Sequence, residues 1–126
     1  MICYILDDQY GKKIYEWMKD QIDAIFPIQD NIKNPLDYID EIIQSKVDYV
    51  LLDNYFPNRT SGWEEALGNE FLISIMNKKK DTKIICISDY WERLINEYDG
   101  RSQAYKSWLV TKFIASKNAK DIINAL

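Results

Sequence analysis

Ile2-Cys3-Tyr4-Ile5-Leu6-Asp7-Asp8 opens the chain with an apolar run that stops abruptly on two aspartates. A short run of this kind, with no alternation of polar and apolar positions, reads as a strand buried on both faces. Comparable runs recur. Val47 to Leu52 ends on Asp53, Ile84 to Ile87 ends before Ser88, and Trp108 to Thr111 is followed by Lys112. Ile25-Phe26-Pro27-Ile28 supplies a further strand, and its proline, lacking a ladder donor, assigns it to a sheet edge.

Helical spacing fills the intervals. Tyr10, Ile14, Trp17, Met18 and Ile22 follow the first strand. Asn34-Pro35 reads as an N-cap followed by proline at the first helical position, with Leu36, Ile39, Ile42 and Ile43 continuing the helix. Residues 54–63 read as a loop. Ala66, Leu67, Phe71, Leu72, Ile75 and Met76 mark the next helix, whose start Gly68 interrupts. Trp91, Leu94, Ile95 and Tyr98 share a helical face, and a last helix runs from about Lys117 to Leu126 with Ser116 as its cap. The order is βα repeated five times. It predicts an α/β fold, a five-stranded parallel sheet covered on both faces, over a single domain of residues 1–126.

Composition narrows the function. The 126 residues are 47% hydrophobic and 29% charged, as in a globular chain with a core of its own. A net charge of −4 argues against nucleic-acid binding, which needs a basic face. Ile2 to Leu6 is too short for a membrane span or a secretory segment, so the expected location is the cytoplasm. Cys3 and Cys86 sit inside apolar runs and read as reduced, buried strand residues. The absence of histidine excludes Ser-His-Asp and Cys-His catalysis and histidine zinc sites.

In parallel sheets of this kind ligands bind beyond the carboxyl ends of the strands. Asp7, Asp8, Asp53, Ser88 and Lys112 occupy those positions. Carboxylates about 5 Å apart repel by roughly 3 kcal/mol at an effective dielectric near 20. Either one of the three keeps its proton or a cation sits among them, and an all-oxygen ligand set selects a hard ion such as Mg²⁺. An aspartate beside Mg²⁺ is a usable nucleophile toward a phosphoryl donor and needs no general base. Lys112 and the metal stabilise the equatorial oxygens of the transferring group, and the Ser88 hydroxyl donates to one of them.

Ile5-Leu6-Asp7-Asp8, Val50-Leu51-Leu52-Asp53 with Pro57 four residues on, Ile84 to Ser88, and Leu109-Val110-Thr111-Lys112-Phe113 together resemble the receiver domains of response regulators. The match covers the whole chain in order. It implies a doubly wound, flavodoxin-like sheet of strand order 2-1-3-4-5, which separates the Cys3 and Cys86 strands. It further implies Asp53 as phosphoacceptor with Lys112 and Ser88 assisting, and Mg²⁺ on Asp7, Asp8, Asp53 and the Tyr55 backbone carbonyl, with Asp8 rather than Asp7 as the more direct ligand. The implied partners are a sensor histidine kinase or phosphotransfer protein and a downstream protein, with no membrane and no nucleic acid. The face of the fourth helix and fifth strand, where Trp91, Tyr98 and Trp108 lie, is a homodimer or partner surface in this family. The chain reads as a stand-alone receiver, a signalling switch rather than an enzyme, capable of self-phosphorylation and self-dephosphorylation.

Several positions depart from the family pattern. Gly68-Asn69-Glu70-Phe71-Leu72 matches a family helix start, but the stretch Asn58 to Leu67 before it is lengthened, either as a partner-specific lid carrying Trp63 or as a surface insertion. Asp89 follows Ser88 where a small residue is usual. It reads as a helix cap paired with Glu92, as a carboxylate repelling the incoming group, or as both. Leu109 stands at the mobile aromatic position, and Phe113 replaces a proline, so the Lys112–Phe113 bond is expected to be trans. These departures motivate an alternative, a degenerate receiver acting as a phosphorylation-independent interaction module. A Mg²⁺-dependent phosphohydrolase fits less well, because Asp53-Asn54-Tyr55 lacks a second acid at close spacing.

Overall fold

Alternate side chains of each central strand point to opposite faces of one sheet, and each face is closed by helices. A computed structural model describes residues 1–27, 34–57, 63–65, 67–78, 81–87, 110–114 and 118–126. Strands β1 (Ile2–Leu6), β2 (Asp23–Ile25), β3 (Tyr49–Leu52), β4 (Lys83–Ile87) and β5 (Val110–Ile114) pair in parallel in the order β2-β1-β3-β4-β5. The helices are α1 (Gly11–Met18), α2 (Ile39–Gln44), α3 (Leu67–Met76) and α4 (Ala119–Ala125). Among the described residues no helix is long and apolar enough to cross a membrane.

Tyr4, Leu6, Val50, Leu52, Ile84 and Cys86 line one face and pack on Ile39 and Ile42 of α2 and on Phe71, Leu72 and Ile75 of α3. Cys3, Ile5, Tyr49, Leu51, Ile85 and Ile87 line the other, against Ile14 and Met18 of α1 and Ile122 of α4. Burying each such aliphatic side chain contributes about 1.5–3 kcal/mol. Cys3 and Cys86 lie on opposite faces and carry free thiols. Burial alone pushes the Cys3 thiol up to about 12 and that of Cys86 well above its ordinary value.

Local chemistry sets the element ends. Asn34 Oδ1 accepts the Leu36 N–H at 3.0 Å, and Pro35–Tyr38 forms a 3-10 turn that runs into α2, as the Asn-Pro pair predicts. Lys46 then takes a positive φ of 50°, reversing the chain between α2 and β3. At α4 the cap is Asn118, whose Oδ1 accepts the Lys120 N–H at 2.9 Å, and not Ser116, which lies outside the described residues.

Three strand expectations are corrected. The edge strand is Asp23–Ile25, not residues 25–28, because it ends ahead of Phe26-Pro27, where a proline cannot donate to the ladder. The fifth strand, Val110–Ile114, runs on past its expected end at Thr111. With phenylalanine instead of proline at 113 the N–H is available to the ladder, and pairing runs on through Cys86↔Phe113 and Ile87↔Ile114. Residues 54–63 are not all loop, since Phe56–Pro57 pairs antiparallel with Glu64–Glu65 in a small ribbon. The fourth helical pattern, with Asp89, Trp91, Glu92 and Tyr98, and also Trp108 and Leu109, lies outside the described residues.

Candidate functional site

The strand order reverses between β1 and β3, so the crevice of this sheet opens beyond their carboxyl ends. Leu6 pairs with Leu52, which brings the residues that follow each strand to the same height. The Asp53 N–H extends the pairing by donating to the Leu6 carbonyl at 2.9 Å. Asp7, Asp8 and Asp53 therefore converge, each offering a carboxylate oxygen within 4.8 Å of the others.

Each carboxylate is held differently. Asp7 is fully buried, and its Oδ1 accepts the N–H groups of Gln9 at 3.0 Å and Tyr10 at 2.8 Å. It organises the turn into α1. Asp8 is half-buried. Asp53 is 7% exposed, and its Oδ1 accepts the N–H of Asn54 at 2.8 Å. Tyr55, half-buried, follows on the turn that leads into the ribbon.

At 4.8 Å or less, each pair of ionised carboxylates repels by about 3 kcal/mol at an effective dielectric near 20. An all-oxygen donor set of this charge fits a hard divalent cation, and Mg²⁺, which takes a few carboxylates and keeps several waters, suits it.

The other expected site residues stand differently. Lys112 lies inside β5 and not beyond it, its backbone level with Ile85 and Leu51 and thus two rows short of Asp53. An irregularity in the β4–β5 register precedes it, with Ile84 opposite Val110 and Ile85 opposite Lys112. Among the described residues no peptide bond is cis, Lys112–Phe113 included. Ser88 lies outside the described residues.

Two features escaped the sequence reading. One is the double N–H acceptance by Asp7, signalled by an aspartate a few residues ahead of a helix. The other is Asn54, a fully buried polar residue whose only signal is its place between Asp53 and the Tyr55-Phe56 pair.

Solved structures share this arrangement over nearly their whole length. A DNA-binding response regulator of the LuxR family from Staphylococcus aureus matches with a TM-score of 0.67 at 16% identity, over 98% of this chain and 93% of that one. The chain has the receiver fold. The response regulatory domain of protein MrkE from Klebsiella pneumoniae matches with a TM-score of 0.57 at 17% identity, over 99% of this chain and 91% of the other. At these identities the likeness is one of fold. No protein-family model and no curated protein matches the sequence. In this receiver fold the acidic triad sits at the β1–β3 crevice, where the flavodoxin-like strand order puts its ligand site.

Proposed function

We propose that this chain is a phosphorelay receiver that accepts a phosphoryl group on Asp53. The observation that carries the reading is the convergence of Asp7, Asp8 and Asp53 at the β1–β3 crevice of a receiver fold. An Asp53 carboxylate oxygen attacks phosphorus, the bond from phosphorus to the donor's leaving atom breaks, and an acyl phosphate forms. The in-line approach needs no proton removed from the nucleophile. Asp7, Asp8, Asp53 and the Tyr55 carbonyl would hold Mg²⁺. The ion, when bound, offsets the carboxylate repulsion and the charge on the phosphoryl oxygens. Lys112 supplies a second cation and Ser88 a hydroxyl donor. The donor is a phosphohistidine of a sensor kinase or phosphotransfer protein, and output passes to a downstream protein in the cytoplasm. On this reading the chain is a switch, not an enzyme that turns over a metabolite.

The backbone position of Lys112, two rows short of Asp53, favours a second reading, an interaction module that works without phosphorylation. Intact-protein mass spectrometry after incubation with Mg²⁺ and acetyl phosphate separates the two. One added phosphoryl group on the wild type, absent from Asp53→Ala and absent without Mg²⁺, supports the relay. No adduct on a wild type that binds Mg²⁺ supports the module.

A further inference from the structure

The acceptor turn is gripped from the side of α3 by a glycine. Gly68, second residue of that helix, donates its N–H to the Asn54 carbonyl at 2.9 Å. A methyl group at its Cα would lie 2.2 Å from the Asp53 carbonyl oxygen, 2.7 Å from Asn54 Cα and 3.1 Å from the Asn54 carbonyl oxygen. All three are backbone atoms, so no change of rotamer makes room.

Asn54 passes this contact to the acceptor, because its own N–H donates to Asp53 Oδ1 at 2.8 Å. Its side chain does not anchor the turn: the carboxamide is buried and, among the described residues, neither Oδ1 nor Nδ2 has a hydrogen-bond partner. On the opposite side the Asp53 N–H is held by the Leu6 carbonyl. The Asp53-Asn54 segment is thus held between β1, at the Asp53 N–H, and α3, at the Asn54 carbonyl, through backbone contacts.

We propose that Gly68 is a positioning residue for Asp53, its bare Cα letting α3 seat on the turn and so fixing the direction of the acceptor carboxylate. The proposal rests on the phosphoacceptor reading of Asp53. Relieving the contact at 2.2 Å means moving the turn or α3 by about 1 Å, and a misplacement of that size costs a reaction on the order of 100-fold.

The test compares wild type, Gly68→Ala and Ile73→Ala, each well below its own thermal midpoint. Ile73 lies on the same helix and packs on the core, so its truncation loosens α3 without adding an atom beside the turn. The readouts are the Asn54 amide and Asp53 ¹³Cγ resonances in the metal-free protein, Mg²⁺ affinity by calorimetry, and the rate of phosphorylation by acetyl phosphate. Gly68→Ala is expected to move both resonances and slow phosphorylation roughly 100-fold, with Ile73→Ala near wild type. Unmoved resonances and a wild-type rate in Gly68→Ala overturn the proposal, as does an equal loss in Ile73→Ala. Should Gly68→Ala not fold, the wild type answers: the Gly68 amide must shift together with that of Asn54 when Mg²⁺ and beryllofluoride load the site, and a Gly68 amide that stays put overturns the proposal. A wild type that neither binds Mg²⁺ nor takes a phosphoryl group fails the phosphoacceptor reading itself, and the role of Gly68 falls with it. An active wild type with an equally active Gly68→Ala fails the Gly68 role alone.

Discussion

Asp7 Oδ1 accepts the Tyr10 N–H at 2.8 Å, so one residue both starts α1 and lends a carboxylate to the acidic triad. The two roles separate by substitution. Asp7→Asn keeps an oxygen acceptor for Gln9 and Tyr10 but removes the charge, while Asp7→Ala removes both. Urea unfolding is expected to show Asp7→Asn at or above wild-type stability and Asp7→Ala lower than Asp7→Asn by about 1–2 kcal/mol. Both variants should lose Mg²⁺ affinity in a calorimetric titration. Equal stability of the two variants would remove the turn-forming role.

The triad predicts a charge effect in the opposite direction. Asp53→Asn removes one of three carboxylates whose oxygens lie within 4.8 Å. In EDTA this variant should be more stable than wild type by about 1–3 kcal/mol. Saturating Mg²⁺ should raise the wild-type thermal midpoint and leave that of Asp53→Asn almost unchanged, since only a bound ligand stabilises the folded state. A wild type indifferent to Mg²⁺ in thermal melts would count against a metal centre.

A buried hydroxyl ties β1 to α2. Tyr4, fully buried on the sheet, donates to Glu41 Oε2 at 2.8 Å. Tyr4→Phe should cost about 0.5–1.5 kcal/mol in chemical denaturation, and Glu41→Gln, which keeps the acceptor, should cost less. A larger loss in Glu41→Gln would show that charge, not hydrogen bonding, dominates there.

Lys46 holds a left-handed backbone at the exit of α2, where a Cβ is disfavoured. Lys46→Gly should stabilise the fold by about 0.5–1 kcal/mol, the relief exceeding the added chain entropy of the unfolded state. The denaturation midpoint measures it, and a decrease would contradict the backbone assignment.

Alkaline pH should weaken the fold through Cys3. Its thiol is pushed up from 9.0 to about 12 by burial, so between these values the unfolded chain has lost a proton that the folded chain keeps. The stabilisation is intact below pH 9 and is lost as the pH rises toward 12. The slope is at most about 1.4 kcal/mol per pH unit for one thiol. Lysines and tyrosines titrate in the same range, so the quantity to measure is the difference in slope between wild type and Cys3→Ala. Parallel slopes would show that the thiol titrates alike in both states.

The sequence by itself determined which segments are strands and helices at the centre of the fold. The runs Ile2 to Leu6 and Val50 to Leu52 are apolar on successive residues and alternate with segments of helical spacing, a pattern that a parallel sheet buried on both faces satisfies. It also determined that Asp7, Asp8 and Asp53 sit just past strand ends, because a carboxylate cannot continue an apolar run buried on both faces of a sheet. Tertiary structure alone decided how far the outer strands extend and what the acidic residues touch. Phe113 keeps an N–H that permits β5 to run on past Thr111, but that it does so to Ile114 depends on ladder partners in β4. The closing of Gly68 onto the Asp53–Asn54 peptide joins residues that the chain separates by the whole ribbon. That contact exists because α3 must bury Phe71, Leu72 and Ile75 against the sheet, and the seat this burial imposes leaves no room for a side chain at its second residue.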